Sequence, residues 1–464
     1  MRNPSLLGGQ RLPRGRQIGA ILGGLQLAKV LDGDHGSDSL AVPSQHRALM
    51  GVLSPGHDLS EMVPSRAERK LRHAHIVQFG QHGAPARRWA DGSRRAGYRR
   101  LQAATLRKPA SRGAYGLGME AVRDWLDERA AEHRFSGVVL VWRDGSPVFE
   151  HAAGLAYRAH GVPSTVDTRF AIASVGKALT ATTALRLVDR GVLDLHRPLV
   201  EVLPPEHRPQ ALTEAHTLHH LLSHTSGLAN YSDDDDETWD SWNANWDRIP
   251  TYHARRPADL LPLFADLPAV AEPGAEQTYC DTNFVLVGLV IEAATGQPFE
   301  DVTKELVLDP AGMADTGYED LDTEPVRLAT GYVIEDGVPF ERWKSNVYML
   351  TASPMPDGGQ WATAHDLARF VDALPELLAP DTFAAMTTPI DPDHDEPYGL
   401  GCLLGVEDGK VLTIGHFGGD PGVTAMLTRY LAEETTVVIL CNFDRGAWPA
   451  SQFVCEQFGL HDPR

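Results

Sequence analysis

The sequence predicts an α/β (α+β) fold. In this fold one antiparallel sheet, drawn from both ends of residues 119–464, carries flanking helices and an inserted, mainly helical part. Three observations lead there. "SGVVLVWRDGSPVFEHAAGLA" reads as two strands that turn at Asp144-Gly145, a hairpin signal. Near the other end, "KVLTIGHFGG", "VTAMLTRYL" and "TVVILCN" read as three more strands. Between these blocks lie helical patterns punctuated by Gly and Pro, with no internal repeat. The sheet part is expected at about 119–165 and 405–464, and the helical part at about 166–404.

The first 118 residues differ in character from the rest. They hold 19 Lys+Arg against 7 Asp+Glu, whereas the remainder holds 23 against 55. Arg clusters such as "ARRWADGSRRAGYRR" occur there without a sustained period of 2 or 3.6. With no recognition module in view, a disordered tail or sequence upstream of a natural start at Met119 is expected rather than a nucleic-acid arm. The formal net charge of −20 also argues against non-specific nucleic-acid binding by the whole chain. No run approaches the ~20 apolar residues that cross a membrane. "IGAILGGLQLAKV" is short for a signal peptide and lacks a cleavage site, so a cytoplasmic protein is expected. Cys280, Cys402, Cys441 and Cys455 form no Cys-x-x-Cys and suggest thiols in a reducing compartment.

From Met119 the pattern is orderly. "MEAVRDWLDERAAEH" puts Val122, Trp125, Leu126 and Ala130 on one helical stripe, and "WPASQFVCEQFGL" reads as a closing helix. Residues 177–190 contain no Gly or Pro and are apolar on nearly every side, which predicts a buried helix stopped by Gly191. Ser174 is expected in its first turn, with Lys177 as its i+3 neighbour.

That pairing points to chemistry. A serine hydroxyl is a poor nucleophile until a base takes its proton. A lysine in a water-poor site loses preference for its charged form, so a neutral Lys177 could accept that proton. The helix N-terminus would favour a developing oxyanion. Further on, Tyr279 and Asp281 precede an apolar helical run, and a phenol near a lysine cation has its phenolate favoured. In "GHFGGDPGV", His416 could donate to a substrate oxygen. Gly418 and Gly419 allow close backbone approach, and the Gly419 amide could form half of an oxyanion hole. No Gly-x-Ser-x-Gly occurs. His220 and His224 stand at a metal-compatible i, i+4 spacing but lack a carboxylate ligand, so no metal is expected. Trp239, Trp242 and Trp246 would share a helical face, and core packing is the preferred reading over an aromatic lid.

The ordered set "SVGK", "LHHLLSHTSGL", "PGAEQTYCDTNF", "DGGQWATAHDLARF", "YGLG" and "GHFGGDPG" resembles the serine β-lactamase-related hydrolases. These include class C β-lactamases, D-alanyl-D-alanine carboxypeptidases, D-aminopeptidases and family VIII carboxylesterases. The resemblance covers roughly residues 119–464. It implies Ser174 as acyl-accepting nucleophile, Lys177 as its base partner and Tyr279 as the tyrosine of Tyr-x-Asn. The Ser174 and Gly419 amides would form the oxyanion hole. The implied partner is a small ester, amide or peptide, with no cofactor. Two departures narrow the choice. His416 replaces the lysine of Lys-Thr-Gly and is mostly neutral near pH 7, which weakens recognition of a substrate carboxylate. Asp281 replaces an asparagine; it can only accept when ionised, and near Lys177 it would hold that lysine charged. Asn283 is a candidate substitute for the missing amide. Together these favour ester hydrolysis over D-amino-acid peptide or β-lactam hydrolysis, with a non-catalytic binder as the alternative of another class.

Overall fold

The computed structural model describes residues 112–232, 239–335 and 337–461. All of them lie in the second of two units into which the chain divides, Leu101–Arg464. Most of the basic N-terminal segment, the expected start-site question and the run "DDDDE" fall outside the described residues.

The elements that position the site are α1 (Arg112–Ala131), β1 (Gly137–Arg143), β2 (Ser146–Ala153), α2 (Gly176–Asp189), α3 (Asp240–Arg248), α4 (Asp281–Thr295) and α5 (Ala364–Leu377). They are followed by β3 (Leu403–Glu407), β4 (Lys410–Asp420), β5 (Val423–Tyr430), β6 (Thr435–Cys441) and α6 (Ala447–Phe458). One antiparallel sheet runs in the order β2-β1-β6-β5-β4-β3. Its two ends join as the sequence predicts: β1 pairs with β6 in the register Gly137↔Cys441 through Arg143↔Thr435. Asp144 and Gly145 both take positive φ, 51° and 70°, which matches the hairpin twist.

The central strands are buried on both faces, which explains why β1 and β6 read as continuous apolar runs rather than alternating ones. On one face Val139, Val141 and Ile439 pack with Val122 and Leu126 of α1 and Val454 and Phe458 of α6. On the other, Val138, Leu140, Val438 and Leu440 meet the helical part, including Leu179 and Leu185 of α2, Phe284 of α4 and Phe370 of α5. The result is a sheet between two helical layers.

Three boundaries differ from the expectation. Helix α1 begins at Arg112, ahead of Met119. A sixth strand, β3, lies at the sheet edge across the expected division at residue 405; it is short and interrupted by Gly405, so its period is weak. Ser174 is not in the first turn of α2. It sits in a 3-10 turn, Ala173–Val175, that leads into the helix. Ala173 immediately before it has φ 46°, a sparsely populated conformation for a residue with a side chain.

The end of β4 lies against this turn. A Cβ on Gly418 would fall 2.4 Å from the Ile172 carbonyl oxygen and 3.1 Å from the Ser174 nitrogen, whereas one on Gly419 would meet nothing within 4 Å. Gly418→Ala is therefore expected to destabilise the fold by about 1–3 kcal/mol through overpacking. Gly419→Ala should stay within about 0.5 kcal/mol of the parent. Urea unfolding of the two variants checks this, and equal stabilities would contradict the close approach.

Candidate active site

The site forms where the turn before α2, the start of α4, the end of β4 and the loop ahead of α5 converge. Lys177 lies in the first turn of α2 and is wholly buried. Its ammonium has three donors and meets three acceptors: Ser174 Oγ at 2.9 Å, the Asp357 carbonyl oxygen at 2.6 Å and Asp281 Oδ1 at 2.6 Å. The sequence expectation that brings Ser174, Lys177, Tyr279 and Asp281 to one place agrees with this geometry. Nζ stands 5.1 Å from the centre of the Tyr279 ring.

The charge states differ from the simplest expectation. Burial pulls the Lys177 ammonium toward neutrality, but Asp281, with Tyr279 and Asp357, outweighs it and lifts its pKa above the ordinary lysine value. The resting amine is a cation. Burial also raises the Tyr279 phenol, and Asp281 adds to this. Lys177 and the hydrogen-bonding reach of Ser174 draw it down only in part, so the phenol keeps its proton.

His416 is placed differently from its expected role. It is buried, its Nδ1 donates to the Phe417 carbonyl oxygen at 2.6 Å, and its Nε2 then accepts from the Tyr398 hydroxyl at 2.9 Å. A carbonyl can only accept, which fixes this tautomer. Burial first, then Lys177, lowers its pKa to about 3. It is a neutral ring with both nitrogens occupied and has no N–H left for a substrate. Asn283 does not replace the missing asparagine amide either: it is fully buried, accepts from Ser226 Oγ at 2.6 Å and faces His224.

Several contributors were not legible in the sequence. Tyr398, in "YGLG", holds His416 and packs edge-on to the Tyr279 ring. His224 takes φ 56°, accepts the Cys280 amide on Nδ1 at 3.1 Å and packs 4.4 Å from the Tyr279 ring. It supports the tyrosine. Among the described residues no group of three or more His, Cys, Asp or Glu is arranged to hold a metal ion. Tyr231 donates to the Asp357 carboxylate. Burial, with Asp281 adding, raises Asp357 to about 6 against the pull of Lys177; burial, with Asp281 and Asp357 adding, raises Asp420 to about 8. Asp357 and Asp420 sit in "DGGQ" and "GGDPG"; in the second, the sequence drew attention to Gly418 and Gly419 for backbone reasons and not to the acid that follows them.

Gly176 is explained by its neighbour. A Cβ there would lie 1.6 Å from Oε1 of the buried Gln360, which anchors on the Met355 carbonyl at 2.8 Å. The tryptophan stripe is not core, contrary to the preferred reading: Trp239, Trp242 and Trp246 are half-buried, Trp239 lies outside the helix with φ 62°, and Trp242 donates to the Met349 carbonyl at 2.6 Å and meets Trp246 edge-on. No helix among the described residues is long and apolar enough to cross a membrane.

Comparison with known proteins agrees with this architecture. The family model described as Beta-lactamase matches residues 122–452. The chain is 28% identical over 323 residues to penicillin-binding protein 4* of Bacillus subtilis (strain 168), covering 67% of this chain and 69% of that protein. It is 34% identical over 286 residues to esterase EstB of Burkholderia gladioli, covering 55% and 71%. The solved penicillin-binding protein from Bacillus halodurans superposes with a TM-score of 0.62 at 33% identity, covering 72% of this chain and 97% of that one. A D-aminopeptidase of Brucella anthropi is 29% identical over 326 residues, covering 67% and 56%. By fold and by a match over most of its length, the chain belongs to the beta-lactamase family.

Proposed function

We propose that this chain is a serine hydrolase that works through an acyl-enzyme, with a neutral ester as preferred substrate and a small amide next. The observation that carries the reading is the Ser174 hydroxyl 2.9 Å from a buried, fully bonded Lys177 ammonium beside the Tyr279 phenol. Ser174 attacks the substrate carbonyl, and its proton leaves toward Lys177. The amides of Ser174 and Gly419 receive the tetrahedral oxygen. Tyr279, protonated at rest, supplies a proton to the leaving group. Water then releases the acyl group by the reverse path.

The ester preference rests on charge. Lys177 is already paired with Asp281, His416 is neutral, and Asp357 and Asp420 lie in the same field. A substrate carboxylate would find no unpaired cation among these residues to hold it. Asp281, when ionised, cannot donate to an amide carbonyl as an asparagine does. Both points set the chain apart from hydrolysis of β-lactams and of peptides with a free C-terminus.

A fluorophosphonate probe is expected to label Ser174, identified by peptide mass spectrometry. Ser174→Ala should lose labelling and cut p-nitrophenyl ester turnover by at least about 10³-fold while circular dichroism stays unchanged. No labelling of the parent at high probe concentration would favour a binding protein that keeps the fold. In a substrate panel, short p-nitrophenyl esters should exceed D-amino-acid amides and a chromogenic cephalosporin in kcat/KM. The reverse order would refute the ester preference.

A further inference from the structure

The bonding of Lys177 poses a question about protons that the hydrolase reading leaves open. An ammonium with three hydrogens and three acceptors cannot take the Ser174 proton unless it first gives one away. Its acceptors are Ser174 Oγ, the Asp357 carbonyl oxygen and Asp281 Oδ1. A peptide carbonyl oxygen does not accept a proton near neutral pH, and the serine is the group to be deprotonated. Only the Asp281 carboxylate is left as an outlet.

We propose that Asp281 is the terminal proton acceptor for the attack by Ser174, with Lys177 as the relay between them. The inference rests on the hydrolase reading above. One Nζ proton first passes to Asp281 Oδ1, and the amine so freed takes the seryl proton as the Ser174 oxygen bonds to the carbonyl carbon and the carbonyl π pair moves to oxygen. Lys177 is then a cation again and faces the oxyanion as one. When the tetrahedral species collapses, the bond to the leaving oxygen breaks. The Tyr279 phenol protonates that oxygen, and the proton held by Asp281 restores the phenol through Lys177. Charge and protons balance at each stage without a further reagent.

The surroundings of Asp281 suit this role. Its amide donates to Asn230 Oδ1 at 2.9 Å, which fixes the start of α4, and its Oδ2 accepts from Ser232 Oγ at 3.4 Å while Oδ1 meets Lys177 Nζ at 2.6 Å. The groups facing it and Lys177 are Tyr279 ahead of α4, Asp357 with its partner Tyr231, Asp420 on β4, and the neutral rings of His224 and His416. Lys177 is the cation that acts on each of these acids.

The test is the pH dependence of fluorophosphonate labelling of Ser174, in which the Ser174 oxygen displaces fluoride from phosphorus and the seryl proton must follow the same route. In the parent the rate should rise with ionisation of a carboxylate, below about pH 7. Asp281→Asn should label about 100-fold more slowly at pH 6.5, the size of a general-base contribution. Its rising limb should move upward by more than one pH unit, because Lys177 must now lose a proton to bulk water before it can serve. Asp281→Glu keeps a carboxylate and should retain the parent's acid limb at a reduced rate, which keeps the test decisive if the Asn variant folds poorly. An unchanged limb in Asp281→Asn, whether the rate is high or uniformly low, would overturn the relay. So would a parent limb that appears only above about pH 9, the signature of a lysine acting alone. A parent that labels at no pH fails differently: it removes the hydrolase reading itself.

Discussion

The structure depends on one buried cation. Lys177 enters the interior at the head of α2 with no exposed surface, and a lone ammonium there would be driven neutral or would unfold its surroundings. Three acceptors from three separate parts of the chain prevent this: a turn 3 residues back, a helix start and a loop 180 residues away. Removing one partner from a buried pair of this kind typically costs about 3–5 kcal/mol. The Ser174 hydroxyl is thus held by a group whose own position is over-determined, which restricts its orientation.

Much of the fold can be understood as what brings those acceptors together. Joining both chain ends in one sheet places β4 beside the turn that carries Ser174, and Gly418 lets the two backbones touch. Gly176 admits Gln360, and Gln360 in turn fastens the segment that includes Asp357. The positive φ of Ala173 is a strained conformation at the residue before Ser174, kept in place by the packing on either side. The aromatic and imidazole rings of Tyr279, His224, Tyr398 and His416 form a second support, joined by ring contacts and the Tyr398–His416 hydrogen bond.

The strands and the closing helix were legible in the sequence because each carries its own period: the hairpin at Asp144-Gly145, the three late strands and the helix at 447–458 all appear as expected. Strand β3 was missed because five residues around a glycine carry almost no pattern. Within the site, Ser174 and Lys177 are visible as a local i, i+3 pair, and Tyr279 and Asp281 as an alternation ahead of a helix. What escaped are quantities that exist only in three dimensions. Whether Lys177 is charged depends on the balance between burial and Asp281. Whether His416 can donate depends on Phe417 and Tyr398 occupying its nitrogens. Asp357 and Asp420 gain their meaning from proximity to a lysine far away in sequence, a relation that no spacing encodes.

The most direct test of the central claim is the protonation state of Lys177 itself. A nitrogen NMR titration of its side chain, assigned by comparison with Lys177→Arg, reads that state without reference to substrate. The account predicts an ammonium signal that persists, protected from exchange, through neutral pH and beyond pH 9. A neutral amine at pH 7 would contradict it, because the contact with Asp281 would then not be the ion pair on which the site is built.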